Sequence, residues 1–205
     1  MKIYMLSIIQ NIPNIRKYPL TFVFEDLKLK HKEDTLWLEF GVASGRTINY
    51  ISSFTKHNVY GFDTFEGLPE KWRDGFEKGA FNQNGVLPAV NENVVLIKGL
   101  FCDTLYSFFK EQDKKISFVH IDCDLYSSTK FVLNVIKDYL DSDCIIIFDE
   151  LVNYPGFHGD TGELKAFYEF LTENEVEYEW IGMNGTLGMS GYEHENVAVR
   201  LRKST

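Results

Sequence analysis

Apolar positions in this chain fall into short continuous runs, separated by stretches whose apolar residues recur at helical spacing. Runs of strand length stand at 35–40, 58–62, 94–97, 117–121 and 144–148, rich in Val, Ile, Phe and Trp. A strand with one wet face alternates apolar and polar residues. These runs do not, so they are expected in a parallel sheet covered on both faces. Between them, 45–54, 103–112, 127–140 and 162–174 read as helices. In the third, Phe131, Val132, Val135, Ile136 and Tyr139 share a face; in the fourth, Leu164, Phe167, Tyr168 and Leu171 do. The segments 177–183 and 196–202 read as two strands around a Gly-rich turn at 184–191, an antiparallel closing pair.

Strands alternating with helices predict a Rossmann-like, doubly wound α/β fold. Its sheet should be mostly parallel and seven-stranded, with one antiparallel edge strand. No composition shift divides the 205 residues, so one domain over 1–205 is expected, with 1–34 as a helical N-terminal extension. Ligands of such sheets bind outside the carboxyl ends of the strands, at the point where strand order reverses. The residues just after each strand therefore carry the candidate chemistry.

The first strand runs into Glu39-Phe40-Gly41-Val42-Ala43-Ser44-Gly45. Its glycines and small residues allow a tight turn and close approach of a ligand to the backbone. The dinucleotide fingerprint needs a third glycine at another spacing, and a phosphate loop needs Gly-Lys-Ser/Thr; neither is present. Glu39 would repel a pyrophosphate but not a ligand bearing an ammonium and a sulfonium. Asp63 ends the second strand about twenty residues on, where a carboxylate can take both hydroxyls of a ribose. The third strand ends in Lys98-Gly99, where a flat base can lie on the backbone. The fourth and fifth deliver Asp122-Cys123-Asp124 and Asp149-Glu150 to one rim. Carboxylates so crowded need a cation or hydrogen-bond donors: a hard dication such as Mg²⁺ with oxygen ligands is the economical reading, the other being Asp122 on a ligand ammonium with Asp149 and Glu150 as caps or ion pairs.

Composition narrows the partners. A formal net charge of −9 argues against nucleic acid, whose phosphates need a basic face. Cys102, Cys123 and Cys144 sit apart in apolar runs and read as buried free thiols. The N-terminal apolar stretch is too short to span a bilayer and lacks a cleavage signal, so the expectation is a cytoplasmic chain without a membrane partner. Oligomeric state is left open, a homo-oligomer included.

Several of these motifs together resemble one family. Glu39-Phe40-Gly41 with Ser44-Gly45, the run from Tyr60 to Pro69, Lys78-Gly79-Ala80-Phe81, His120 to Tyr126 and Asp149-Glu150 followed by Asn153-Tyr154-Pro155-Gly156 are similar to the macrocin O-methyltransferases. These are class I S-adenosylmethionine-dependent enzymes that methylate sugar hydroxyls in glycosylated natural products or glycans, often with Mg²⁺. The resemblance implies that Glu39, Gly41, Ser44 and Gly45 hold the methionine part of S-adenosylmethionine. It implies Asp63 for the ribose and Thr64, Phe65, Lys98 and Gly99 around the adenine. Asp122 would lie near the ammonium, and Asp122, Asp149 and Glu150 match the family's metal ligands. The acceptor would be a small molecule or glycan, with the 1–34 extension on its side of the site. Trp72, Tyr154 and Phe157, in the long connections 64–93 and 151–161, are candidates to floor its pocket. Two positions depart from the pattern: a general-base histidine of some relatives is Val152 here, and the lysine of catechol O-methyltransferases is Leu125. The base is then Asp122 or His158. Two other functions stay in view: a metal-dependent glycosyltransferase using Asp122-Cys123-Asp124, and a cofactor-binding domain without catalysis.

Overall fold

Buried apolar runs make the centre of the sheet. Strands β1 (Thr35–Phe40), β4 (Lys115–Ile121) and β5 (Leu140–Phe148) are buried over most of their length, as their unbroken apolar sequences require. The computed structural model describes residues 2–202 and places these strands with β2 (Val59–Asp63), β3 (Val94–Lys98), β6 (Glu177–Met183) and β7 (Val197–Arg202) in one sheet. Their order is β3-β2-β1-β4-β5-β7-β6. All pairings among β1 to β5 are parallel, and β7 runs antiparallel to both β5 and β6. The antiparallel strand therefore sits one place in from the edge, between β5 and β6. β3 closes the other edge, which is why its apolar run is only half-buried.

Two apolar layers cover the faces. On one, α1 (Lys2–Ile9), α4 (Phe101–Glu111), α5 (Tyr126–Ile136) and α6 (Gly162–Asn174) pack over residues such as Leu38, Phe40, Val119 and Phe148. On the other, α3 (Arg46–Ser52) lies over Trp37, Phe118 and Ile145. Beside it lies a strap of α2 (Pro19–Thr21) and one π-turn (Phe22–Asp26). Each fully buried Leu, Ile or Phe stabilises the fold by about 1.5–3 kcal/mol relative to exposure. In α6 the inward set is shifted from the expected one: Phe170 is buried and Tyr168 is half-exposed. The predicted helix over 127–140 stops at Ile136, because Leu140 already pairs with Ile116 in β5.

The ladders continue past the strand ends. Gly41 N–H donates to Phe62 O, Asp122 N–H to Phe40 O, and Asp149 N–H to Ile121 O. The residues after β1, β4 and β5 are thereby held in register at one rim. The N-terminal strap reaches the same rim: Asn14 bridges Met183, and Tyr18, just before the buried Pro19, donates its hydroxyl to Asp149 Oδ1 at 2.9 Å. Among the described residues, no helix is long and apolar enough to cross a membrane.

A carboxylate-lined cavity at the switch point of the sheet

Strand order reverses between β1 and β4, and a cavity of about 640 Å³ opens over their carboxyl ends. That volume lies within the usual range of small-molecule and cofactor sites. The loop after β1 forms its floor. Gly41 has φ +92°, and a Cβ there would stand 1.7 Å from the Asp122 carbonyl oxygen, so only glycine lets this loop pack against the end of β4. Asp63 ties the loop down: its Oδ2 accepts from Val42 N–H and Ala43 N–H, both at 2.8 Å, and its Oδ1 from Phe65 N–H at 2.7 Å. Both lone pairs of Oδ2 are thus taken and Oδ1 keeps one, so Asp63, which lines the cavity, can still accept from a ligand through Oδ1.

Acidic groups dominate the lining. Asp63, Glu70, Asp122, Asp124, Asp149 and Glu150 all face it, and Arg46 is the one cation among the described lining residues. Behind this wall lies a buried carboxylate–imidazole–carboxylate chain. His120 Nδ1 sits 2.9 Å from Glu39 Oε1, and its Nε2 sits 3.6 Å from Asp149 Oδ1. The first is a hydrogen bond; the second is beyond bonding reach and acts through charge. Burial disfavours the imidazolium, but the two carboxylates outweigh it and hold the ring's pKa well above its ordinary value. Asp149 is also organised from outside: its Oδ1 accepts from Tyr18 Oη and, at 2.6 Å, from Asn196 Nδ2. Burial opposes its ionisation, yet His120 first, then Glu150 and Tyr18, keep its pKa below the usual carboxylate value.

The other acids of the cluster behave oppositely. Burial, then the charge of Asp149, pushes Asp122 and Glu150 well up, and Asp124 up to about 7. Glu163, fully buried at the start of α6, is raised by burial and then by Asp124. Glu150 Oε2, Glu163 Oε1 and Glu39 Oε2 are buried and without a hydrogen-bond partner in the protein. Orphaned acceptors among so many carboxyls suit a cationic ligand. His120, Asp122 and Asp149 each offer one atom within 4.8 Å of the others, a spacing compatible with one ion.

The expected site residues separate into those the cavity gathers and those it does not. Gly41, Ser44, Asp63, Thr64, Asp122, Asp149 and Glu150 line it. Glu39 does not reach its surface; it is fully buried against His120. Gly45, Phe65, Lys98 and Gly99 lie outside the lining, Phe65 in the core and Lys98 donating to Gly85 O; Leu100, Phe101 and Cys102 take that wall instead. Trp72, Tyr154 and Phe157 form an aromatic clasp between the two long connections, with Trp72 and Tyr154 rings 6.1 Å apart, and none lines the cavity. Its side walls are Leu68, Pro69, Phe81, Ser127, Ser128 and Phe131. His158 is exposed and outside the cavity. Val152 and Leu125 are buried. Cys102 is exposed and lines the cavity, contrary to the buried thiol expected; it points off the outer side of α4, whose buried residues are Leu105 and Phe109.

Sequence reasoning missed the parts played by His120, Arg46 and Tyr18. His120 lies two residues before Asp122 on a buried strand, so it shares that residue's face, which was a readable signal. Nothing local could have joined Tyr18 to Asp149.

Comparisons with known proteins agree with this geometry. The family described as a methyltransferase domain matches residues 38–151, more than half of the chain. No curated protein sequence matches. Among solved structures the chain is similar to CalS11, a calicheamicin methyltransferase, at 20% identity over 97% of this chain and 90% of that one, with a TM-score of 0.59. It is similar to the O-methyltransferase NovP at 20% identity over 82% and 72%, TM-score 0.56. It is also similar to an O-methyltransferase from Bacillus cereus, solved in complex with SAH, at 16% identity over 98% and 89%, TM-score 0.56. The chain belongs to the methyltransferase domain family and has the Rossmann-like fold of class I methyltransferases.

Proposed function

We propose that this enzyme moves a methyl group from S-adenosylmethionine to a hydroxyl of a sugar, with a divalent cation such as Mg²⁺ at Asp122, Asp149 and Glu150. The observation that carries the reading is the carboxylate-lined cavity over the switch point, floored by the Gly41 loop and Asp63. A ligand with a sulfonium and an ammonium suits those charges, and a pyrophosphate would be repelled by them. CalS11 is described as a TDP-rhamnose 3′-O-methyltransferase, which supports a sugar hydroxyl as the acceptor here.

S-Adenosylmethionine, when bound, would supply an electrophilic methyl carbon for an oxygen to attack in line, with the sulfur leaving as the neutral thioether of S-adenosylhomocysteine. The chain's part is to align that oxygen and take its proton. Asp63 accepts from the ribose with the lone pair left on Oδ1. Asp122 and Asp149 leave neighbouring strands at one height, so their oxygens converge where an acceptor hydroxyl would lie. A cation at these carboxylates would make that hydroxyl more acidic. Asp122 and Asp124 both line the cavity and can receive the proton, in place of the base absent at Val152 and Leu125. Leu68, Pro69, Phe81 and Phe131 exclude water from one side of the acceptor space, and proximity itself supplies several kcal/mol of the acceleration.

The test is transfer of labelled methyl from S-adenosylmethionine across a panel of sugar glycosides, together with calorimetry. Tight binding of S-adenosylmethionine and labelling of a sugar hydroxyl are expected. Binding of a nucleotide sugar in its place would make Asp122-Cys123-Asp124 a glycosyltransferase motif instead. Cofactor binding with no turnover on any acceptor would leave a noncatalytic domain.

A further inference from the structure

Arg46 is the exception in an acidic cavity. It follows Gly45 directly, lies between Ser44 and Thr47 in the lining, and is exposed. Among the described residues no carboxylate pairs with it. Other cations are engaged: Lys71 with Glu77, Lys98 with Gly85 O, and Lys130 with Glu169. An unpaired guanidinium facing a cavity is a preformed donor for a planar anion.

S-Adenosylmethionine carries two cationic groups and one anion, its α-carboxylate. The six lining carboxyls answer the cations and would repel the anion wherever it came close to them. Arg46 is where that repulsion is reversed, on the same loop as Gly41 and Ser44. Resting on the proposed function, we infer that Arg46 binds the α-carboxylate of the cofactor's methionine part, with the Ser44 and Thr47 hydroxyls beside it. Arg46 then selects the intact amino acid end of the cofactor and fixes the end-to-end direction in which it enters.

Decarboxylated S-adenosylmethionine keeps the sulfonium and the ammonium and lacks the carboxylate, so it isolates the contact. Calorimetry should show the wild-type protein preferring S-adenosylmethionine over this analogue by about ten- to a hundredfold, the size of a charge-assisted pair. Arg46→Gln should erase the preference by weakening S-adenosylmethionine alone, and Arg46→Lys should restore part of it. Because Arg46 is exposed and unpaired, the thermal midpoint of Arg46→Gln should match the wild type. A preference unchanged in Arg46→Gln overturns the inference while leaving the proposed function standing. So does an Arg46→Gln protein that binds both compounds normally but loses affinity for a nucleoside diphosphate sugar, since the anion would then belong to the acceptor. A wild-type protein that binds neither sulfonium compound overturns both readings.

Discussion

The imidazole of His120 and the carboxylate of Glu39 meet at 2.9 Å, with both side chains fully buried. Neither charge has water to stabilise it, so each depends on the other and on Asp149 beyond. Glu39 thus supports the site from behind: it holds the ring that faces Asp149, which lines the cavity.

Removing one partner of such a pair leaves an uncompensated buried charge. His120→Ala should destabilise the protein by about 3–5 kcal/mol. Urea unfolding at neutral pH measures this. The double variant with Glu39→Gln should recover part of the loss, because the carboxylate that His120 hydrogen-bonds is then removed with it. A single-variant loss under about 1 kcal/mol would show that water or a rearrangement replaces the pair.

Asp63 both ties the loop after β1 and faces the ligand. Asp63→Ala should weaken S-adenosylmethionine by about 2–3 kcal/mol, taking charge-assisted bonds at roughly 1.5–3 kcal/mol. It should also lower the thermal midpoint, because the amides of Val42, Ala43 and Phe65 lose their acceptor. Calorimetry and a melting curve on the same sample separate the two effects. An unchanged dissociation constant would confine Asp63 to a structural role.

For the metal, EDTA should lower methyl transfer sharply and Mg²⁺ should restore it. Asp149→Ala should reduce kcat more than it reduces cofactor affinity, whereas Asp122→Ala should reduce both, since its carboxyl lines the cavity with the Gly41 loop, where the cofactor's ammonium would lie. Full activity in a metal-stripped enzyme would leave the carboxylates orienting the acceptor directly.

Away from the cavity, Glu169 joins α5 to α6 by accepting from Lys130, Lys165 and Tyr126. Partial burial opposes its ionisation, but these donors outweigh it and hold the pKa at about 2. A carboxylate depressed in the folded state contributes stability that is complete above its unfolded pKa and fades as pH falls toward the folded one. Glu169→Gln should therefore cost about 1–2 kcal/mol at pH 7, after allowance for solvent screening. That difference should shrink between about pH 4.5 and pH 2. Denaturant unfolding across that range checks the sign; a difference that grows on acidification would contradict it.

Much of the fold was legible because it is written in local periodicity. The unbroken apolar runs at β1, β4 and β5 could only be central strands, and residues placed after parallel strands must share one rim. That rule put Gly41, Ser44, Asp63, Asp122, Asp149 and Glu150 around one cavity. It failed for residues whose roles depend on which way a side chain leaves the backbone. Glu39 precedes the loop but points into the layer behind it, to His120. Trp72, Tyr154 and Phe157 satisfy one another across two loops, a contact that no spacing within either loop encodes.

The sequence by itself determined the parallel sheet, the tight glycine-bearing turn after β1, and the gathering of acids at one edge. Each follows from a neighbourhood of a few residues or from the alternation of strands and helices. Only the tertiary structure decided which acids face the cavity, that Tyr18 from the N-terminal strap reaches Asp149, and that Arg46 is the cation among the described lining residues. Those relations join residues from separate elements. They are set by how two apolar layers close over the sheet, a balance of packing that no single stretch of sequence carries.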